Sequence, residues 1–481
     1  MQWWIIAGLI ITFIFFCFIA VVIVLENRNP SKTLAWLIVL TFLPIVGFFF
    51  YLMFGQNFRK RKRFHRKELA DFGELQQVLD QQLGVDYSEQ IVSGDVGRRR
   101  LVNLVLRNSQ SPFTVHNRMH VLTNGVETFR AIIQALNEAN HHIHMQYYIW
   151  RDDAIGRDIQ RVLMEKARAG VEVRVIYDGV GSRDLDKSYI DALKQAGVEI
   201  YPFLPVVFPV VTSKVNYRNH RKIVVVDGKI AFMGGLNIGD EYLGKDPRMG
   251  FWRDTHLQVW GDAVYVLQAI FIMDWAFVKG ESHHRLQEAI YFPVHNERDK
   301  QFVQIAASGP DSEWEAIMQA YFTAVVSATQ SVHITSPYFI PDDSILTAIK
   351  TAALSGVDVK LILPARPDHK IVYWATMSYL EELLEAGVNV YLYEKGFIHA
   401  KILIVDGEVA SLGTANMDIR SFYYNFEVNA LIYDEGIVRR LEADFQRDLE
   451  DSRRVTLGDT HDRPLRQKLK ESSARLFSPL L

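Results

Sequence analysis

The chain of 481 residues holds a single cysteine, Cys17. One cysteine excludes an internal disulfide framework and a cysteine-based zinc site. Lying within an apolar run, Cys17 reads as a small apolar side chain. An excess of either charge is missing too. The 53 basic and 56 acidic residues leave a net charge of −3, which gives no broad basic face for coating nucleic acid. No histidine–carboxylate cluster falls at metal-ligand spacing, so no metal and no cofactor are expected. The length is sufficient for two sizeable cores.

Charge is also lacking from Trp3 to Leu25 and again from Leu34 to Phe54. Each run approaches the roughly 20 residues with which a helix crosses a bilayer. Trp3, Trp4, Trp36 and Tyr51 stand near the ends, where aromatic rings favour the interface. The first run has no basic leader and no small-residue cleavage site, and a second apolar run follows, so a cleaved signal peptide is not expected. Residues 1–56 are read as a transmembrane hairpin with helices over about 3–25 and 34–54. The connector carries only Arg28 and Lys32, whereas Phe58-Arg-Lys-Arg-Lys-Arg63, Arg66 and Lys67 follow the second run. That bias keeps both termini and the remainder of the chain cytoplasmic, and the cluster suits anionic lipid head groups. Residues 57–115 read as a basic, helical linker with Leu75, Val78, Leu79 and Leu83 at helical spacing, packed on the main body.

The remainder repeats itself. His144-Met-Gln-Tyr-Tyr-Ile-Trp-Arg-Asp-Asp153 parallels His333-Ile-Thr-Ser-Pro-Tyr-Phe-Ile-Pro-Asp-Asp343. Gly170-Val-Glu-Val matches Gly356-Val-Asp-Val, and Gly197-Val-Glu-Ile matches Gly387-Val-Asn-Val. Each half reads as strand, helix ended by glycine, strand, helix ended by glycine, strand. The fold expected is α/β: two tandem halves, each a β-sheet flanked by helices, forming a pseudo-twofold pair with a site at their junction. The halves are placed at 116–295 and 296–481, with motifs at 215–242 and 394–421.

Each half then delivers the same spaced residues. The first has His220-Arg-Lys222, Asp227-Gly228 and Gly234-Gly-Leu-Asn237; the second has His399-Ala-Lys401, Asp406-Gly407 and Gly413-Thr-Ala-Asn416. One copy is a weak signal, and two with the same downstream asparagine are a strong one. Ile223–Val226 and Ile402–Val405 read as strands, which puts each His and Lys, two apart, on one face. Each Asp lies roughly 20 Å along the strand at 3.3 Å per residue, in an Asp-Gly hairpin turn, so it is read as structural. Two lysines and two asparagine amides would hold a phosphate. One histidine attacks phosphorus while the other protonates the leaving alcohol and later deprotonates the acceptor. Each imidazole needs a carboxylate to fix its tautomer. Asp254 and Glu427, which follow His220 and His399 by 34 and 28 residues, are the candidates.

This doubled motif resembles the phospholipase D superfamily over nearly the whole chain. Pro30-Ser-Lys-Thr-Leu-Ala-Trp-Leu, Leu43-Pro-Ile-Val-Gly47, Tyr51-Leu-Met-Phe-Gly55, Ser308-Gly-Pro310, Asn416-Met-Asp-Ile-Arg-Ser421 and Arg475-Leu-Phe-Ser-Pro-Leu-Leu481 look like the bacterial cardiolipin synthases. The resemblance implies condensation of two phosphatidylglycerol molecules into cardiolipin and glycerol at the bacterial inner membrane. It carries the catalytic set over to His220, Lys222, Asp227, His399, Lys401 and Asp406, with His220 as nucleophile. Membrane lipids are the expected partners, and nucleic acid is not. The motifs leave open a phospholipase D hydrolase, a phosphatidylserine synthase-like enzyme and a phosphatidylethanolamine-using cardiolipin synthase. A non-catalytic scaffold would have let one motif decay. Two features stay unassigned. The first motif continues as Gly239-Asp-Glu241 where the second has Asp418-Ile-Arg420-Ser421. The first half also holds 11 extra residues before its catalytic strand, with an apolar stretch Phe203–Val211 that reads as a wedge into the bilayer or a cap on the core.

Overall fold

A computed structural model describes residues 3, 6, 21, 30–43, 47, 51, 96–205, 216–280 and 289–478. The chain divides into two compact units, residues 1–66 with 206–217 and residues 67–205 with 218–481. In the first, helix α1 (Pro30–Phe42) starts four residues ahead of the expected Leu34, because proline suits the first helical position. No helix among the described residues is long and apolar enough to cross a membrane. The expected first span apart from three residues, most of the second beyond Leu43, the basic cluster at 58–63, the leucine run at 75–83 and residues 206–211 of the apolar stretch lie outside the described residues.

The second unit contains both halves. The first half is built from β1 (Asn117–Thr123), β2 (His142–Tyr147), β3 (Glu172–Asp178), β4 (Glu199–Phe203), β5 (Arg218–Asn219), β6 (Ile223–Val226), β7 (Ile230–Gly234), β8 (Phe251–Arg253) and β9 (Thr255–Gly261). The second uses β10 (Val303–Ser308), β11 (Ser331–Thr335), β12 (Phe339–Ile340), β13 (Asp358–Pro364), β14 (Asn389–Tyr393), β15 (Gly396–Ile398), β16 (Ile402–Val405), β17 (Val409–Gly413), β18 (Met417–Asp418), β19 (Asn425–Ile432) and β20 (Ser452–Arg454). One sheet runs β1-β9-β7-β6-β2-β3-β4 and the other β10-β19-β17-β16-β11-β13-β14-β20. The seven strands of the first order correspond one by one to the first seven of the second, which adds β20 at its end, so the repeated sequence is a repeated structure.

Parallel pairing of β2, β3 and β4 requires crossovers. They run through α3 (Ala154–Arg168) and α4 (Lys187–Gln195), after α2 (Val96–Asn108). Each crossover helix ends at a glycine in the left-handed region, Gly170 at φ 92° and Gly197 at φ 98°, which a side chain would resist. The long helix α5 (Asp262–Lys279) is buried on nearly every side from Ala263 to Ala276, as its mostly apolar sequence requires, and its buried Gln268 and Asp274 are hydrogen-bonded to His144 and Gln146. Helix α2 places Leu101, Val102 and Val105 in the core of the second half.

At the far end of each motif strand a hairpin turns through Asp227 and Gly228, at φ 54° and 64°, and through Asp406 and Gly407, at φ 53° and 66°. Both central residues take positive φ, as the type I′ turn demands. The Asp227 carboxylate accepts the N–H groups of Asn140, His141 and His142 at 2.8–2.9 Å. Asp406 accepts those of Thr329, Gln330 and Ser331 at 2.7–2.8 Å. These are the residues entering β2 and β11, so each aspartate ties a hairpin to the start of the neighbouring strand.

Candidate active site

The chain reaches each motif histidine along a strand that pairs with the opposite half. In β5, Arg218 and Asn219 lie beside Asn425 and Phe426 of β19, and the His220 N–H donates to the Phe426 carbonyl at 2.9 Å. Reciprocally, Gly396, Phe397 and Ile398 of β15 pair with Phe251, Trp252 and Arg253 of β8, and the His399 N–H donates to the Arg253 carbonyl at 2.7 Å. Three residues past each histidine the chain enters its own sheet at Ile223 or Ile402. The approach leaves no room for a side chain at Gly396, where a Cβ would stand 1.9 Å from the Phe251 carbonyl oxygen. Buried Asp178 steadies the other crossing by accepting the Asn219 N–H at 2.8 Å.

This exchange decides which carboxylate serves which imidazole. His220 Nδ1 lies 3.0 and 2.9 Å from the two Glu427 oxygens, and His399 Nδ1 lies 2.7 Å from Asp254 Oδ2. The expectation that each carboxylate serves the histidine it follows in sequence is therefore corrected, because the exchanged strands set each histidine beside the other half's carboxylate strand. A carboxylate only accepts, so Nδ1 carries the proton and Nε2 keeps its lone pair. Glu427 also accepts from Thr414 Oγ1 at 2.5 Å and Asn425 Nδ2 at 3.1 Å. A Cβ at Gly235 would lie 2.0 Å from Asp254 Oδ1, which accounts for the second glycine of Gly234-Gly.

Burial sets the protonation. It pushes the His220 imidazole down to about 4, with Lys222 and Lys401 adding to the effect and Glu427 opposing it. It pushes His399 down to about 3, with Lys401 adding to the effect and Asp254 opposing it. Burial alone would raise Glu427, but His220 and Lys222 hold it at about 2. Asp254 is likewise held low against its burial, by His399 and Lys401. Each pair is thus a neutral imidazole on an ionised carboxylate. Burial also lowers Lys222 to about 7 and Lys401 to about 8. Each ammonium donates to the carbonyl of its own motif histidine, at 2.7 and 2.5 Å, and retains two donors.

Both histidines line one cleft of about 700 Å³, together with Asn237 and Asn416. The Asn237 amide donates to the Tyr242 hydroxyl at 3.0 Å and accepts the Ile149 N–H at 3.1 Å; Asn416 donates to Asp418 at 3.0 Å. Lys222 and Lys401 are buried, and Asp227 and Asp406 line no part of the cleft. Sequence reasoning missed the aromatic lining. Tyr148 meets His220 edge-on at 4.9 Å, and Trp252 lies 5.2 Å from His399. Tyr148 and Tyr338, both lining the cleft, hold matching places in the repeat five residues before the second Asp of Asp-Asp, a signal available in the sequence. Among the described residues, Glu381, Glu385 and His461 are close enough together to hold a cation, and none of them lines the cleft.

Known proteins fit this picture. The phosphatidylserine synthase of Haemophilus influenzae superposes with a TM-score of 0.61 over 79% of this chain and 100% of its own, at 14% identity, which is a likeness of fold. The family described as cardiolipin synthase, PLD-like domain, matches residues 132–275 and 321–449, and a phospholipase D-nuclease N-terminal module matches 9–56. The cardiolipin synthase of Halalkalibacterium halodurans is 51% identical over 100% of this chain and 95% of its own length. The major cardiolipin synthase of Bacillus subtilis is 43% identical over 96% of each. Paired halves of one topology that close on two carboxylate-held histidines define a phosphatidyltransferase of the phospholipase D-like class. Within that class, the chain belongs to the cardiolipin synthase family, whose members are membrane-associated.

Proposed function

We propose that this enzyme joins two phosphatidylglycerol molecules into cardiolipin and glycerol through a phosphatidyl-histidine intermediate. The observation that carries the reading is the pair of imidazoles in one cleft, each fixed at Nδ1 by a carboxylate of the opposite half and left with its lone pair on Nε2. One Nε2 forms a bond to the donor phosphorus as the bond to the glycerol oxygen breaks, and the other imidazole gives that oxygen its proton. The hydroxyl of a second phosphatidylglycerol then returns a proton to the same imidazole, forms the new P–O bond and breaks the P–N bond. A bound phosphodiester anion favours the charged forms of the proton-donating imidazole and of both lysines, drawing their pKa values back up. Lys222 and Lys401 stabilise the charge that gathers on phosphorus oxygens. Asp227 and Asp406 act through the hairpins. Residues 1–56, with their two uncharged runs and the match to an N-terminal module, anchor the enzyme as a hairpin with the catalytic body at the cytoplasmic face.

The test is lipid mass spectrometry after the purified full chain meets phosphatidylglycerol vesicles. Cardiolipin with an equal amount of glycerol is expected. Phosphatidic acid in its place marks a hydrolase. Cardiolipin formed only when phosphatidylethanolamine is added marks a different donor.

A further inference from the structure

A helix near the C-terminal end, α7 (Leu465–Leu476), turns its apolar face outward. With 3.6 residues per turn, Leu465, Leu469 and Leu476 fall within about 40° of one another around its axis. They are 74%, 59% and 81% exposed, and Phe477, next in the chain, is exposed too. The side that meets the body carries charge instead. Buried Glu471 accepts from Arg463 at 2.8 Å and from Gln467 at 2.9 Å. Arg475 donates to Glu382 at 2.7 Å and lies 4.1 Å over the Tyr379 ring. A surface helix ordinarily turns its leucines to the core, so packing within the fold does not account for these three. Basic residues border the stripe, Lys468 on one side and Arg466 and Lys470 on the other. From Asp462 to Phe477, five basic residues stand against two acidic ones, and one of those two is the buried Glu471.

The helix is braced on α6 (Lys370–Met377). Arg463, just ahead of α7, donates to the Met377 carbonyl at 3.0 Å, and Lys470 lies 5.1 Å over the Trp374 ring. At its start α6 borders the catalytic cleft through Asp368, His369 and Val372, and Ile371 beside them is exposed. An apolar stripe edged with cations fits a surface that is greasy below and anionic above, which a phospholipid-transferring enzyme must meet. A twofold contact of α7 with a second copy would instead bring like-charged borders together. We propose that α7 lies along the surface of an anionic bilayer. Leu465, Leu469 and Leu476 enter the acyl region, while Arg466, Lys468 and Lys470 stay at the head groups. This contact is additional to the hairpin proposed for residues 1–56, and it holds one wall of the cleft at the lipid surface. It requires a phospholipid substrate and is independent of which acceptor the enzyme uses.

The full chain with Cys17→Ser and Leu469→Cys, carrying an environment-sensitive fluorophore at position 469, tests this directly. In phosphatidylglycerol vesicles its emission should shift to the blue. Lipids with nitroxide on their acyl chains should quench it at least three-fold more there than in phosphatidylcholine vesicles. Adding Arg466→Gln and Lys468→Gln should remove most of that difference. Without a label, Leu469→Asp with Leu476→Asp should leave the melting temperature unchanged, since both side chains point outward. The same pair should lower turnover of long-chain phosphatidylglycerol in vesicles at least ten-fold more than turnover of a soluble short-chain analogue. A fluorophore that stays in water on phosphatidylglycerol vesicles would overturn the proposal. So would a shielded fluorophore that lipid nitroxides do not quench, because protein, whether another segment or a second copy, would then cover the face. Equal loss on both substrates with a lowered melting temperature would show the leucines to be structural and overturn it as well. The fluorescence does not depend on the product formed, so failure to make cardiolipin would sink the proposed reaction and not this contact.

Discussion

A carboxylate on imidazole Nδ1 fixes the tautomer and steadies the ring when it charges, so removing it copies loss of the histidine it serves. Glu427 serves a histidine 207 residues away in the chain, and Asp254 one 145 residues away. With a substrate carrying a good leaving group, His399→Ala should trap a phosphatidyl adduct on His220, and His220→Ala should not. Glu427→Gln, though in the other half, should prevent the adduct as His220→Ala does, while Asp254→Asn should retain it. Intact-mass spectrometry reads the outcome, and an adduct confined to the Glu427 variant would reverse the roles. The lysines lend themselves to a simpler measurement. Lys222→Ala and Lys401→Ala should each lower turnover by about 3 kcal/mol of transition-state stabilisation, the loss seen for an oxyanion donor. Protonation also reaches stability. His220 and His399 titrate at about 4 and about 3 when folded, against 6.5 ordinarily. Between those values the unfolded chain binds protons that the folded chain refuses, so stability is greatest above 6.5 and declines as pH falls. Glu427, held at about 2 against 4.5, acts in the same direction lower down. The melting temperature should therefore drop from about pH 7 to about pH 4.5, with a shallower slope in the His220→Gln, His399→Gln double variant.

At the scale of elements, two strands of two and three residues, β5 and β15, do more to build the site than the long strands beside them. Gly396→Ala tests this, since the new methyl group would meet the Phe251 carbonyl. Overpacking of this kind costs roughly 1–3 kcal/mol. The expected result is a lowered melting temperature and a larger fall in activity, because His399 hangs from the displaced strand. Such strands are too short to show any period, which is why the exchange was invisible in the sequence. Without it, chain order paired each histidine with a carboxylate of its own half. The long elements were legible for the opposite reason. Their β-branched runs and the glycines at 170, 197, 356 and 387 carry both the period and the stop signal, and all four glycines take φ between 92° and 98°. Asp227 and Asp406 were also legible as structural from distance along the strand alone. Trp252 and Asp178 were not, because their importance comes from neighbours brought up by other elements, whereas Tyr148 was marked only by its match to Tyr338 in the repeat.

At the scale of the molecule, the two halves are linked by more than the chain that joins them. Each supplies the strand on which the other's histidine is hung and the carboxylate that orients it. A chain cut between Gly280 and Ala289 should therefore be inactive as either fragment alone and regain phosphatidyl transfer when the fragments are expressed together. Activity in one isolated fragment would contradict the exchanged pairing. The same reciprocity bears on descent. Two identical subunits related by a twofold axis must present the same residues at both flanks of a shared cleft. Arg218, two residues ahead of the first histidine, would then recur ahead of the second, and Arg420, four residues past the second asparagine, would recur past the first. Joining the halves in one polypeptide lifts that requirement: Phe397 and Glu241 occupy the mirrored places, so each half is free to diverge around a nearly symmetric pair of histidines.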